Sequence, residues 1–315
     1  MLPSPSVAAL FRPSPSIAPP AWMHQLAVTR VTADLDAPRA WRLPPDPMVT
    51  LRGAMGKAVM ALACTQATAD CPQCPRQGSC PVTTWYDPGR LGGSPVRPLV
   101  PHRVRATEHG VQLTFWLLGD VPRPGLVLEA LHHMAAAGLG RDRIPHHVRQ
   151  VVVEGTGAAA QVVRDEIQTG IWPAPGHLGR FGCLPQAPVG ARVHLLSPTT
   201  WRGLTRAAPP SVEDLLQAAV RRVRAVAHAQ GVRVERWWPT EGAGRWLETR
   251  WVRATRWAPR HQRRLDLSGW MGTLEIGPAA AELADLLAAA EVLGIGRQAS
   301  AGRGRIRVEW LPGGR

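Results

Sequence analysis

The last quarter of the chain reads Gly294-Ile295-Gly296-Arg297-Gln298-Ala299-Ser300-Ala301-Gly302-Arg303-Gly304-Arg305-Ile306-Arg307-Val308. Apolar side chains recur at helical spacing just before it, from Ala279 to Leu293, and a strand pattern follows it at Ile306. Glycine permits positive φ and close approach of the backbone to another group. Arginine supplies forked donors that match phosphate oxygens. The order helix, glycine–arginine loop, strand therefore predicts a fold with an anion-binding loop; a helix cap followed by a plain turn is the simpler alternative.

The same order of elements occurs earlier in the chain. A helix predicted over Leu126 to Ala137 leads into Gly138-Leu139-Gly140-Arg141-Asp142-Arg143 and then into a strand over Val148 to Val153. Further strands are predicted at Leu26–Leu35 and Val111–Leu118, and a helix at Leu51–Ala63. The first half thus ends as the second half does, which indicates an internal repeat.

The second half begins with a strand predicted over Arg192 to Leu196. Ser211 and Asp214 form a capping-box pattern at the start of a helix that runs to about Ala229. Strands are expected over 232–238, 246–255 and 272–276. Two β-α-β-β-α-β units are the simplest account, so we predict an α+β fold of tandem ferredoxin-like (RRM-like) domains.

The predicted boundaries follow changes in composition. Residues 1–22 are rich in Pro and Ser and are expected to form a flexible leader without the pattern of a signal peptide. The N-terminal domain is predicted over 23–160, with a Cys-rich insertion at 64–80 after the first helix. A connection over 161–190 and a C-terminal domain over 191–315, which carries the glycine–arginine loop, complete the chain.

The charge of the chain indicates an anionic partner. Among 315 residues, 37 Lys and Arg outnumber 23 Asp and Glu, for a net charge of +14. No run approaches the roughly 20 apolar residues that a membrane span needs, so we expect a cytoplasmic protein with no membrane partner.

Four of the five cysteines, Cys64, Cys71, Cys74 and Cys80, fall in the 64–80 insertion. In a cytosolic protein this density favours a metal over disulfides, and a structural zinc site with four thiolates is the leading interpretation. An iron–sulfur cluster is the alternative, because a distant cysteine before C-x2-C-x5-C also occurs with such clusters. A loop without metal remains open as well.

Six segments in order resemble CRISPR RNA-processing endoribonucleases of the repeat-associated mysterious protein (RAMP) superfamily, over most of the chain after the leader. They are the Leu51–Ala58 segment LRGAMGKA, the cysteine cluster, the Ser197–Arg202 segment SPTTWR, the Arg221-Arg222 pair, the Arg256–Arg264 segment RWAPRHQRR and the closing loop. The resemblance implies tandem ferredoxin-like domains and cleavage of CRISPR repeat RNA without a metal. Its products would be a 2′,3′-cyclic phosphate and a 5′-hydroxyl, since the 2′-OH of the RNA is the nucleophile. A catalytically silent RAMP subunit that binds crRNA in an effector complex, with other subunits as partners, is the alternative function.

Three residues are catalytic candidates. Lys57, the only lysine, lies on the first helix beside Gly53 and Gly56, and Arg52 precedes them. His261 lies within the arginine cluster of the second domain. Each also has a plain interpretation as a solvated or phosphate-binding side chain. The predicted RNA-binding residues are Arg141, Arg143, Arg256, Arg260, Arg263, Arg264, Gly296, Arg297, Ser300, Gly302, Arg303, Gly304 and Arg305.

Tryptophan is unusually frequent, with 13 residues against one tyrosine. Between positions 236 and 257 the tryptophans alternate with arginines, a pattern that suits base stacking and phosphate binding. The same alternation fits a strand with Trp facing inward and Arg outward, and both interpretations stay open. The residues concerned are Trp237, Trp238, Trp246, Trp251 and Trp257, with Arg236, Arg245, Arg250, Arg253 and Arg256.

Overall fold

The computed structural model shows two antiparallel sheets packed against helices and a separate two-stranded hairpin. It describes residues 18–38, 41–42, 46–65, 71–86, 96–121, 125–140, 142–156, 161–163, 174–182, 184–185, 188–201, 206, 208–241, 243–258 and 263–312. The predictions for Arg141, Arg260, His261 and most of the leader lie outside these residues.

The helices are α1 (Ala21–Gln25), α2 (Pro47–Ala63), α3 (Gly125–Ala136), α4 (Leu178–Phe181), α5 (Val212–Ala229) and α6 (Ala284–Leu293). The strands are β1 (Ala27–Asp36), β2 (Leu99–Ala106), β3 (Gly110–Leu118), β4 (His147–Glu154), β5 (Gln161–Val163), β6 (Gly176–His177), β7 (Gly190–Leu195), β8 (Gly244–Val252), β9 (Thr255–Ala258), β10 (Arg263–Asp266), β11 (Gly269–Ile276) and β12 (Ile306–Leu311).

Both sheets have the ferredoxin-like strand order. In the first sheet the order is β2-β3-β1-β4, extended by β5 beside β4 and by β6 beside β1. In the second sheet it is β12-β7-β11-β8. Each half therefore places its first and third strands at the centre, with one helix between the first and second strands and another between the third and fourth. This arrangement confirms the predicted tandem ferredoxin-like fold.

Two apolar clusters hold the molecule together. The first sheet buries Val31, Ala33 and Leu35 of β1 beneath α2 and α3. On its other face, Val28 and Trp116 join the core of the second domain. The two domains thus share a continuous apolar cluster, and their relative arrangement is fixed by burial.

The two ends of α5 are set by local sequence signals, as predicted. Ser211 accepts a hydrogen bond from the Asp214 backbone N–H at 3.0 Å, and the Asp214 side chain accepts one from the Ser211 N–H, so α5 begins with the predicted capping box. The helix ends at Ala229, and Gly231 follows with φ of +69°. Its apolar face packs on the second sheet.

Three features of the chain path differ from the sequence-based expectations. The strand expected over 232–238 does not form, since this segment belongs to no helix or strand, while the strand expected over 246–255 is present as β8. Strand β2 and the β9–β10 hairpin were not predicted. Finally, Trp22 of the expected leader lies in α1 and is 8% exposed, because its indole packs into the shared core.

Candidate RNA interface

The closing glycine–arginine loop lies between the two domains. At Gly302, where φ is +77°, an added Cβ would come within 2.9 Å of the Met48 Cβ and 3.0 Å of the Pro101 carbonyl oxygen. Met48 is in α2 and Pro101 in β2, so the loop of the second domain is packed directly against the first. Only glycine combines this backbone conformation with this close approach.

Two arginines fasten this contact. Arg303 is 6% exposed, and its guanidinium forms an ion pair with Asp46, the residue that precedes α2. From the other side, the Arg52 Nε donates a hydrogen bond to the Ser300 carbonyl oxygen at 3.0 Å. These two guanidiniums act as cross-links between α2 and the loop.

Arg305, another arginine of the closing loop, binds the backbone of His102. The Arg305 Nη1 donates to the His102 carbonyl oxygen at 2.8 Å, and its backbone N–H donates to the Ser197 Oγ at 3.0 Å. The Nε of Arg305 is buried and has no hydrogen-bond acceptor among the described residues. A guanidinium carries five N–H donors, so Arg305 keeps donors for an anionic ligand.

His102 is at the centre of a cationic cluster that the sequence analysis missed. The pairing of β2 with β3 shifts between Pro101 and Arg103, so His102 is the extra residue of a β-bulge, and its ring contacts Trp116 with centroids 5.4 Å apart. Burial is the main cause that lowers the pKa of His102 to about 4, and the nearby charges of Arg305, Arg103 and Arg30 add to it. The ring is therefore neutral at pH 7. The bulge lies within the β2–β3 hairpin, but Arg305 and Arg30 come from distant parts of the chain, so this role of His102 could not be predicted from the sequence.

The exposed face of α2 borders the same junction. The Arg256 Nη2, from the β9–β10 hairpin, lies 3.6 Å from where a Cβ at Gly53 would be. Lys57 is exposed one helical turn further along, on the same face as Gly53. A cation from each domain thus flanks a strip of α2 that glycine keeps open.

Tyr86, the only tyrosine, packs against the next glycine of that helix. Its ring carbon would be 3.1 Å from a Cβ at Gly56, and the Arg52 guanidinium lies 5.0 Å from the ring centroid. The Tyr86 hydroxyl is buried without a hydrogen-bond partner in the described residues, and burial raises its pKa well above the ordinary value. The phenol stays protonated at physiological pH.

The structure brings together part of the predicted RNA-binding set. Gly296, Arg297, Ser300, Gly302, Arg303, Gly304 and Arg305 belong to the loop at the junction, and Arg256 reaches it from the hairpin. The Arg297 side chain is exposed while its backbone N–H donates to the Thr200 carbonyl oxygen at 2.9 Å. Arg264 is exposed on β10, Arg263 lies on the same strand, and Arg143 is exposed in the first domain. Their RNA contacts stay predictions.

Two family models match separate parts of the chain. Residues 193–306 match the family model described as CRISPR-associated endoribonuclease Cas6, and residues 25–173 match a model described as an N-terminal domain. The predicted resemblance to CRISPR endoribonucleases is thereby confirmed. The matched Cas6 segment begins in β7 and ends at the first residue of β12, so it contains the whole closing loop.

Solved structures show similar chains of low identity. A Thermus thermophilus Cas6 shares 12% identity over 90% of this chain and 99% of its own, with a TM-score of 0.49. A Cas6-related protein from Pyrococcus furiosus shares 10% over 90% and 98%, with a TM-score of 0.44. A RAMP protein described as binding different RNA substrates shares 9% over 89% and 99%, with a TM-score of 0.40. No curated protein matches the chain significantly.

The cysteine insertion lies outside the Cas6 segment. Cys71 and Cys74 are in one turn, where the Cys74 N–H donates to the Cys71 carbonyl oxygen at 3.3 Å, and none of Cys64, Cys71, Cys74 and Cys80 forms a disulfide. Within the described residues, no three His, Cys, Asp or Glu side chains are grouped closely enough to hold a metal ion. As arranged here the thiols do not form a ligand set, and the zinc or iron–sulfur site stays a prediction.

Among the residues that the structure describes, none of the helices is both long and apolar enough to span a bilayer.

Proposed function

We propose that this protein cuts CRISPR repeat RNA at the junction between its domains and holds the product there. The observation that carries the proposal is the convergence of cations from three elements, namely the closing loop of the Cas6 segment, α2 and the β9–β10 hairpin. Arg305, Lys57 and Arg256 each present a cation at that junction. RNA phosphates are the anions that such an array binds.

The proposed chemistry needs no metal. The 2′-OH of the RNA gives up its proton to a base as its oxygen attacks the adjacent phosphorus, and the 5′-oxygen leaves and takes up a proton, which yields a 2′,3′-cyclic phosphate and a 5′-hydroxyl. Charge builds up on the phosphate oxygens, so cations placed there lower the barrier, and one acid must protonate the leaving oxygen. Lys57 is proposed to stabilise the phosphate, and His261 to transfer the proton.

Arg52 is assigned a different part in this scheme. Because its Nε donates to the Ser300 carbonyl oxygen and its Nη2 to the Tyr86 carbonyl oxygen at 3.4 Å, it ties the loop to α2. We therefore propose that Arg52 positions the loop against the RNA. Its removal is expected to weaken RNA binding together with cleavage, whereas loss of a proton-transfer group lowers the cleavage rate alone.

The test is single-turnover cleavage of the repeat RNA in EDTA, with analysis of the ends. We expect cleavage in the parent protein and a fall of about 10²-fold or more for His261→Ala or Lys57→Ala with little change in RNA affinity. Met60→Ala is the control, since Met60 is also exposed on α2. Parental rates in Lys57→Ala, Arg52→Ala and His261→Ala would show that the site lies elsewhere.

One observation favours a catalytically silent crRNA-binding subunit as the second candidate. The histidine that the structure places in the junction, His102, has a pKa of about 4, far from the value suited to proton transfer at neutral pH. Tight binding of the repeat without any cleavage, in EDTA or with added divalent metal, would favour this function and assembly with other effector subunits.

The cysteine segment is proposed to hold a structural metal, with zinc ahead of an iron–sulfur cluster. Four cysteines within residues 64–80, none in a disulfide, support the proposal, although binding requires them to draw together. Metal analysis of the purified protein tests it. About one zinc per chain, lost together with stability in Cys74→Ser, is the expected result; visible absorbance and iron would indicate a cluster, and neither metal would end the proposal.

A further inference from the structure

Trp237 is largely exposed, although the indole ring is mostly apolar and is usually buried. Its side chain is 71% exposed, whereas the adjacent Trp238 is 3% exposed. The segment from residue 232 to 240 belongs to no helix or strand. It runs beside α5 and the start of α6, away from the closing loop that follows the other end of α6.

The backbone on both sides of Trp237 is held in place. The Trp238 Nε1 donates to the Asp285 Oδ1 at 2.7 Å, and the Arg236 Nη2 donates to the Glu282 carbonyl oxygen at 3.3 Å. The carboxylate of Asp285 also accepts from the Trp22 Nε1 at 3.3 Å. With its neighbours fixed to α6 in this way, Trp237 is presented to solvent on a rigid support.

Three arginines belong to this segment or bind its backbone. Arg236 precedes Trp237 and also pairs with Asp285 at 3.7 Å between Nε and Oδ2, the Arg224 Nη2 donates to the Arg236 carbonyl oxygen at 3.5 Å, and Arg233 lies on the same segment. All three arginines are exposed. The local acid Glu235 pairs with Arg233 at 3.2 Å between Nε and Oε1, and both side chains are mostly exposed, at 75% and 88%. We call Trp237, Arg224, Arg233 and Arg236 the tryptophan patch.

We propose that the tryptophan patch binds single-stranded RNA that flanks the repeat, by stacking a base on Trp237 and holding phosphates with the arginines. An isolated aromatic ring among guanidiniums suits this ligand, because every base offers a π-face and the chain of phosphates is continuous. An apolar protein partner would call for a broader apolar surface than one indole. The inference rests on the proposed function, since it places the flank of an RNA whose repeat occupies the junction.

The geometry sets a length requirement. Residues Glu282 and Asp285 hold the patch near the start of α6, and the closing loop begins after Leu293 at its end. Ten helical residues span about 15 Å. An RNA bound at the junction must therefore continue at least this far to reach Trp237, and the proposal is that the flank, and not the repeat itself, does so.

The experiment compares two RNAs, the repeat alone and the repeat with a flank of about ten nucleotides, a length typical of single-stranded sites, attached at either end in turn. The parent should bind one flanked RNA at least 5-fold more tightly than the repeat. Trp237→Ala should remove this gain and leave binding and cleavage of the bare repeat unchanged. Trp237→Phe should retain most of the gain through stacking, and Trp237→Leu should not. Leu247→Ala, another exposed apolar side chain in the second domain, should behave as the parent.

The outcomes separate the two proposals. If the parent neither binds nor cuts the bare repeat, the proposed function fails. If it binds the repeat but gains nothing from a flank at either end, or if Trp237→Ala keeps the whole gain, the tryptophan patch is not an RNA site. If Trp237→Leu retains the whole gain, base stacking does not hold the flank, and the proposal is also overturned. Glu235→Gln should strengthen flank binding slightly, because it frees Arg233.

Discussion

The two glycine–arginine loops share a sequence pattern but differ in what they contact. The first follows α3 and folds back on itself, with a bridge between Leu139 and Ile144 and positive φ at Gly138 and Gly140. The second follows α6 and packs against the other domain, where Gly302 approaches Met48. The same local pattern thus closes a single domain in one case and joins two domains in the other.

The arginines of the two loops have different roles: some are buried and stabilise the protein, and others are exposed. In the closing loop, Arg303 is buried in an ion pair and contributes to the domain contact, while Arg297 stays exposed and Arg305 keeps free donors. In the first loop, Arg143 is exposed and adopts a positive φ of 47°. Counting arginines in a motif overestimates the cations available to RNA, because some of them hold the protein together.

The largest expected effect is on the buried anchor of the closing loop. Arg303→Ala should lower the free energy of unfolding by about 3 kcal/mol, since it leaves Asp46 without its ion pair at a tightly packed contact. Urea denaturation measures this value. Arg297→Ala, in the same loop but exposed, is the matched control and should change stability by less than about 0.5 kcal/mol. Equal effects in the two variants would mean that Arg303 does not anchor the closing loop to the first domain.

The histidine beneath that loop should make stability depend on pH. The folded-state pKa of His102 lies at about 4 against 6.5 for the free side chain, so the unfolded chain takes up a proton first as the pH falls. Stability is full above pH 6.5 and is lost progressively toward pH 4, with about 2 kcal/mol lost between pH 7 and pH 5. Unfolding curves at both pH values should show a smaller loss for His102→Gln, whereas His228→Gln, an exposed control, should match the parent.

Two glycines separate the cost of backbone strain from the cost of packing between the domains. Gly302 and Gly231 both have positive φ, at +77° and +69°, but a Cβ at Gly231 meets nothing within 4 Å. Gly231→Ala should cost about 1 kcal/mol for conformation alone. Gly302→Ala should cost about 1 kcal/mol more, because Met48 and Pro101 must shift. Thermal unfolding of both variants gives the difference, and identical costs would argue against the close domain contact.

Local chemistry explains what the sequence could predict. The capping box of α5, the helical spacing before the closing loop and the alternation in β1 are short-range patterns, and the strands and helices that they define fix the ferredoxin-like order. The strand expected over 232–238 does not form: Trp238 donates to the Asp285 carboxylate of α6, and Trp237 is exposed to solvent. A pattern of alternation cannot distinguish a sheet neighbour from a helix neighbour.

The functional junction was harder to predict, since it depends on contacts between distant residues. His102 joins the junction because Arg305 of the closing loop meets β2, and the place of Arg256 beside Gly53 depends on how the hairpin of one domain reaches the helix of the other. The loop glycines and Lys57 could be named from the sequence because they sit in conspicuous segments. Which arginines are anchors required the structure.

The most direct test of the account is the salt dependence of repeat-RNA affinity in Arg305→Ala and Arg143→Ala, one variant in each glycine–arginine loop. Each phosphate contact contributes roughly 0.7 to 0.9 to the slope of log K against log salt concentration. If the closing loop is the main RNA-binding element, Arg305→Ala should lower the slope by about that amount and Arg143→Ala by clearly less. An unchanged slope in Arg305→Ala, with an equal or greater loss in Arg143→Ala, would contradict the account.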